Sequence, residues 1–279
     1  MPKTSIKEQY LPTLNTRANS AIEFAQWPVH SHLESTYLNN KVLALQTTRV
    51  SPNNISGKLG ENKTAYNHFN LGFHVGDCAK RVKHNRQYLQ KSLPSKASIQ
   101  WLEQVHGNSV AEISSVTKQA IIGDAMVTRE KNIALAIMTA DCLPILLISN
   151  RGDEIAAIHG GWRPLSTNII TNTINKMHTA ADKIYAWLGP CIGKEVFEVG
   201  TEVHMAFVEQ GDVFSQAFIK QGSGKYLANL HEIATLQLHN LGIKQITTLS
   251  ECTYSESEKY YSYRKNAVTG RMATVITLL

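Results

Sequence analysis

The chain has 279 residues, 43% of them hydrophobic and 18% charged, and its 28 Lys and Arg against 22 Asp and Glu leave a net charge of +6. That balance excludes an intrinsically disordered chain and supplies apolar material for a sizeable core. No apolar run reaches the roughly 18–20 residues of a membrane span, no signal-type apolar core follows the basic N-terminus, and no Lys/Arg cluster marks a nucleic-acid face.

In chain order, residues 1–41 read as an irregular N-terminal extension and 42–279 as one domain. A strand is expected at 42–48, followed by an exposed loop at 51–67, rich in Asn, Gly, Ser and Lys. A helix is expected over 79–89. Strands follow at 98–105, 134–139, 143–148 and 154–158. Pro164 then stands where a first-turn proline belongs, ahead of Ile169, Ile170, Ile174 and Met177 at helical spacing. A strand at 183–188 runs into the turn Gly189-Pro190. Leu230, Ile233, Ala234 and Leu241 share one face of a helix over 229–241 that Gly242 stops, and strands at 246–250 and 272–278 close the chain. Strands and helices mix without strict alternation and no GxGxxG is present, so the expected class is α+β rather than a doubly wound dinucleotide fold.

The four cysteines, Cys78, Cys142, Cys191 and Cys252, are too widely spaced for a CxxC pair or a compact disulfide framework. A cytoplasmic protein with reduced thiols is the expectation. Three polar residues end or interrupt apolar strands: His106 in LEQVHG, Cys142 in TADCLP and His159 in AAIHGGWR. Strand ends are rigid mounts for reacting groups, and the glycines beside them allow close approach. Two histidines and a cysteine could form a three-ligand zinc site with its fourth position open, assembled by tertiary structure. The same residues are equally compatible with a packed cysteine and two hydrogen-bonded histidines, or with a Cys–His nucleophile pair. Asp141 beside Cys142 is a candidate acid/base or a strand-end hydrogen-bonding group. Gly160-Gly161-Trp162-Arg163 before the Pro164 helix is a candidate anion site through its N–H groups and Arg163, or simply a tight turn.

Taken together these segments are more specific than any one of them. Thr48-Arg49, 70–77 (NLGFHVGD), Asn85-Arg86, 104–107 (QVHG), 123–128 (GDAMVT), 139–144 (TADCLP), 159–163 (HGGWR), 189–193 (GPCIG) and 261–273 (YSYRKNAVTGRMA) occur in the order of the YfiH family. The chain resembles this family, also called the multicopper polyphenol oxidase or laccase-domain family and the peptidoglycan editing factor family. The resemblance implies a single domain of layered helices and mixed sheets (α/β/β/α) and a metal site that falls here on His106, Cys142 and His159. It also implies phosphorolysis of purine nucleosides (adenosine, inosine, methylthioadenosine) to free base and ribose 1-phosphate, with adenosine deamination beside it. The matching blocks make Asn70, His74, Gln104 and Arg264 candidate substrate contacts, with Arg49 and Arg163 candidates for phosphate. Zn2+ is the expected cofactor, with Cu2+ as the alternative; the small-molecule partners are a nucleoside and phosphate.

Two departures stand out. Thr48-Arg49 continues as Val50-Ser51-Pro52 where the family has Gly-Gly-Val-Ser, and the 70–77 loop runs into Cys78-Ala79 where the family often has Asp-Pro. Both fall in loops and bear on substrate preference, leaving the three ligands intact. The family's names supply the competing readings: copper-dependent oxidation of phenols, and editing or binding of cytoplasmic peptidoglycan precursors. A multicopper enzyme needs many paired histidines, and the one HxH here is His30-Ser31-His32 in the extension.

Overall fold

A computed structural model describes residues 21–28, 38–52 and 65–279. His30-Ser31-His32 and most of the expected 51–67 loop lie outside the described residues. The first half of the chain forms β1 (Ile22–Phe24), β2 (Val42–Thr47), α1 (Ala79–Lys91), β3 (Ser98–Glu103), β4 (Val110–Glu112), β5 (Ile121–Ile122) and β6 (Ala125–Thr128). The central strands are β7 (Ile133–Thr139), β8 (Leu143–Ser149) and β9 (Ile155–Gly160), followed by α2 (Trp162–Ser166) and α3 (Ile169–Ile174). The remainder comprises β10 (Ile184–Leu188), β11 (Glu198–Gly200), α4 (Thr201–Val208), β12 (Phe218–Lys220), β13 (Lys225–Ala228), α5 (Leu230–Asn240), β14 (Gln245–Thr248) and β15 (Met272–Leu278).

Two six-stranded mixed sheets, ordered β1-β2-β15-β7-β3-β5 and β14-β10-β8-β9-β6-β4, stack face to face. A small antiparallel sheet, β11-β13-β12, sits beside them. Side-chain alternation divides each central strand between two cores. In β7, Leu135 and Ile137 point between the sheets, while Ala134 and Ala136 face the layer of α1 with Leu89 and Leu93. In β8, Leu146 and Ile148 enter the inter-sheet core, while Ile145 and Leu147 meet Leu165, Ile169 and Ile233 of the helices on the far side. The result is the expected α/β/β/α stack in a single mixed domain. Because β7, β8, β9, β10 and β15 are covered on both faces, each reads in sequence as a nearly unbroken apolar run.

The structure departs from the sequence expectation at identifiable places. The single helix expected from Pro164 to Met177 is broken. The hydroxyls of Ser166 and Thr167 bond back to the Arg163 carbonyl at 2.9 and 3.0 Å, and Asn168 turns left-handed at φ 68° before α3 begins. The strand expected over 98–105 ends at Glu103. Within the expected extension, Ile22–Phe24 pairs antiparallel with β2 as a sheet edge. Strands β4, β5, β6 and the β11-β13-β12 sheet were not expected; at two to four residues each they are too short to show a period. Helix α5 stops before Gly242, φ 91°, as expected, and is capped by Asn229, whose side chain accepts from the Glu232 N–H at 3.2 Å.

Leu146 is fully buried between the two sheets. Leu146→Ala is expected to destabilise the protein by about 2–5 kcal/mol, read as a lower urea midpoint, whereas Ile122→Ala on an exposed strand should change stability by about 0.5 kcal/mol or less.

Candidate metal centre

The site forms at one end of the sandwich, where loops leave both sheets. His106 follows β3, Cys142 lies in the turn between β7 and β8, and His159 sits near the end of β9, opposite Pro144 of β8. His159 shares the parity of Ile155 and Ala157, so its ring lies on the inter-sheet side. The donor atoms of His106, Cys142 and His159 all lie within 4.8 Å of one another. Cys142 Sγ is 3.9 Å from His106 Nε2, and the two imidazole rings meet edge to face with centroids 4.7 Å apart. Ligands of a tetrahedral zinc stand roughly 3.5 Å apart, a spacing that small side-chain rotations reach from here. Gly161 makes the approach feasible: a Cβ there would lie 3.1 Å from Cys142 Sγ and 3.5 Å from His106 Cδ2. A Cβ at Gly160 would lie 2.7 Å from the Leu143 carbonyl, so close packing on β8 and at the ligands accounts for the glycine pair without an anion, and α2, five residues long, is too short to add much of a dipole.

Asp124, fully buried at the start of β6, organises the three. Its Oδ1 accepts from His159 Nδ1 at 2.8 Å and from the His106 N–H at 3.0 Å, and its Oδ2 accepts from the Gly107 N–H at 2.7 Å. Its own carbonyl accepts from the His159 N–H at 2.8 Å. The carboxylate therefore fixes the His159 tautomer, leaving Nε2 to face Cys142, the arrangement that metal-ligating histidines generally show. His106 and Asp141 hold left-handed backbones at φ 59° and 91°, local strain of the kind stored at functional sites.

Burial raises the Cys142 thiol pKa, but the imidazolium charge of His159 and hydrogen bonds from both histidines outweigh it and bring the thiol down to about 6. Burial likewise opposes charge on His159, yet the Cys142 thiolate and the bond to Asp124 hold its pKa up at about 9. Burial alone would raise Asp124; its bonds to His159 and to the N–H groups of Gly107 and His106 keep it below the usual carboxylate range. A thiolate and two oriented imidazoles are the soft and borderline donors that suit zinc or copper.

These donors form the floor of a cleft of about 760 Å³. Trp162, Ile192, Phe197 and Leu230 make an apolar wall, and His74, Arg163, Arg264 and Arg271 supply cationic or ionisable groups. Of the residues expected from sequence, His74, Gln104, Asp141, Arg163 and Arg264 line the cleft, but Arg49 and Asn70 do not. Arg49 is held by the carbonyls of Ser257, at 2.6 Å, and Asn67, and stacks on Tyr261. Asn70 is fully buried, its Oδ1 accepting from the N–H groups of Gly72 and Arg271 at 2.9 Å each. Both side chains bond within the protein.

Gln104 reaches β7, donating to the Met138 carbonyl and accepting from the Met138 N–H, each at 2.8 Å, so its amide continues the β3–β7 pairing where the strand itself has ended. Asp141 accepts from Thr253 Oγ1 and from the Arg264 N–H, both at 2.6 Å, which leaves it a clasp for the C-terminal segment rather than a free acid/base. Arg163 lies over Trp162 and Arg264 over Phe197, the latter donating to the Glu198 carbonyl. Cys191 is a packed thiol, buried against His231. The sequence reading missed Asp124 and Arg271, although both lie in matching blocks; a lone Asp before a short strand and an Arg before a long one carry no signal by spacing.

The family model described as multi-copper polyphenol oxidoreductase laccase matches residues 55–279. The chain belongs to that family. Among its relatives, the protein named purine nucleoside phosphorylase YfiH from Escherichia coli (strain K12) is 40% identical over 240 residues, 85% of this chain and 94% of its own length. The protein of the same name from Shigella flexneri is 39% identical over 256 residues, 91% of this chain and 97% of its own. The crystal structure of Neisseria meningitidis protein NMB0706 superposes with a TM-score of 0.81 at 34% identity, covering 92% of this chain and 99% of the other. The YfiH resemblance and the layered fold expected from sequence thus agree with both comparisons.

Two outcomes follow from the geometry. In metal-stripped protein, the rate of Cys142 alkylation by iodoacetamide should rise with pH through a midpoint near 6, because the thiolate forms above its lowered pKa. A midpoint at 8–9 would mean that the imidazoles do not support the thiolate. Asp124→Asn keeps the shape but loses the anionic acceptor of His159 Nδ1, and should weaken zinc affinity about 10- to 100-fold in a chelator competition.

Proposed function

We propose that this member of the laccase-type family is a zinc-dependent purine nucleoside phosphorylase with adenosine deaminase activity at the same site. The observation that carries the reading is the meeting, in one cleft, of a His-Cys-His donor set with apolar and aromatic side chains and with arginines. The names of the two enterobacterial relatives support it. In phosphorolysis a phosphate oxygen bonds to the anomeric carbon of the ribose as the glycosidic C–N bond breaks. The electron pair leaves with the purine, which takes the proton of dihydrogen phosphate, giving free base and ribose 1-phosphate. Deamination consumes water and releases ammonia, turning adenosine into inosine.

His106, Cys142 and His159 would hold the zinc, which when bound supplies a Lewis acid beside the substrate. Trp162 and Phe197, each with an arginine over one face, offer flat apolar surface for a purine. The arginines would hold phosphate as the anionic reactant. Asp141 keeps the Arg264 segment against the cleft, and Asp124 keeps His159 in its tautomer; neither touches substrate in this scheme.

The copper-oxidase reading rests on the family's name and on a donor set that would also accept Cu2+. Among the described residues, however, His106, Cys142 and His159 are the one group of three or more metal donors, whereas a multicopper centre requires several.

The test is purified protein with inosine and inorganic phosphate, followed for hypoxanthine. The wild type should release hypoxanthine only when phosphate is present, and Cys142→Ala should lower the rate on the order of 100-fold or more. Absence of turnover in the wild type, or unchanged turnover in Cys142→Ala, removes the proposal.

A further inference from the structure

The cleft presents several cations, and they are not equivalent. Arg163 is exposed and lies over the Trp162 ring, so water already solvates its charge. Arg264 is exposed too, and its Nη1 donates to the Glu198 carbonyl at 3.0 Å. Arg271 differs. It is half-buried and lies over the Tyr263 ring at 5.8 Å, its Nη1 donates to the carbonyls of Thr269 and Gly270 at 3.2 and 2.9 Å, and its Nε and Nη2 have no hydrogen-bond partner among the described residues. No carboxylate lies within ion-pair distance of it among those residues. Burial lowers its pKa, as expected for a cation removed from water without a counter-ion, while the charges of Cys142 and Asp141 act on it through space. A guanidinium held in this way is costly unless an anion completes it.

The surrounding chain is built to hold Arg271 in place. Asn70 Oδ1 accepts from its N–H, and the Leu71 N–H donates to its carbonyl at 3.1 Å. Gly72 leaves room for its stem, since a Cβ there would sit 3.0 Å from Arg271 Cγ. The same loop carries His74 to the cleft, near enough for the Arg271 charge to lower the His74 pKa after burial has done so. Thr139, strand partner of the neighbouring Met272, also lines this end of the cleft, its hydroxyl buried and without a hydrogen-bond partner among the described residues. A cation and an imidazole therefore face the same space.

The geometry points to Arg271, braced beside His74, as the residue that binds inorganic phosphate in this cleft. Nε and Nη2 form the fork that fits two phosphate oxygens. The inference depends on the phosphorylase reading only for the anion's role as co-substrate; the site itself is argued from the unpaired guanidinium.

The full-length, zinc-loaded enzyme tests it by steady-state kinetics with inosine and by calorimetric titration with inorganic phosphate. Arg271→Gln should raise the phosphate KM about 10- to 100-fold while the inosine KM changes less than about 3-fold, and should weaken phosphate binding in parallel. Arg271→Lys, which restores charge but not the fork, should fall between, and it carries the same comparison if Arg271→Gln does not fold. Arg151→Gln, on the distant β8–β9 turn, should behave as wild type.

A phosphate KM and affinity unchanged in Arg271→Gln, or in Arg271→Lys where that variant stands in, overturns the assignment and leaves the phosphorylase reading standing. So does a selective loss of activity on inosine 5′-monophosphate with free phosphate unaffected, which would make Arg271 a reader of a nucleotide's own phosphate. If the wild type shows no phosphorolysis, the phosphorylase reading falls. The titration then decides alone: phosphate binding that disappears in the Arg271 variant supports the site, and binding that persists, or is absent from the wild type, overturns it.

Discussion

Asp124 takes three hydrogen bonds on a carboxylate with no exposure to water, and those bonds come from segments that are far apart in the chain. A buried carboxylate left unsatisfied would cost several kcal/mol, so the fold is committed to bringing the His106-Gly107 backbone and the His159 ring to it. That single requirement explains several features at once. It holds the His106 backbone in its left-handed conformation and sets the tautomer of His159 beside the Cys142 sulfur. The thiolate and the His159 imidazolium then stabilise each other, and a divalent cation entering the triad would replace the imidazolium's proton as the thiolate's counter-charge.

Around that centre, several polar residues act by placing others. Asn70 ties its loop to the start of β15 and so sets Arg271. Gln104 extends the pairing of β3 with β7 past the end of the strand, which steadies the approach to His106. Asp141 gathers Thr253 and Arg264 and holds the C-terminal segment over the cleft. Each had the residue type and motif context of a substrate contact, yet each spends its hydrogen-bonding capacity inside the protein. The groups left with capacity to spare are the exposed or unpaired cations, and they lie on the cleft.

Much of the layered fold was legible in the sequence, because strands covered on both faces leave apolar runs and α5 carries its stop. The short strands were not, since two to four residues give no period, and the break at Asn168 was hidden by isoleucines that keep helical spacing across it. At the site, spacing alone left zinc ligation, packing and a nucleophile pair open for His106, Cys142 and His159. Their convergence in space is what suggests a metal site. Arg49 bonds to backbone carbonyls away from the cleft, and in one dimension such an arginine looks the same as one awaiting phosphate. Asp124 was missed for the opposite reason: its importance lies wholly in what reaches it from elsewhere in the chain.

The central claim, that two imidazoles and one thiolate share a single zinc ion, is tested most directly by X-ray absorption at the zinc and copper edges on protein purified without added metal. The account predicts one zinc per chain, with two nitrogen ligands and one sulfur in its first coordination sphere, and loss of the sulfur signal in Cys142→Ser. Copper as the resident ion, or zinc bound without sulfur in the wild type, would contradict it.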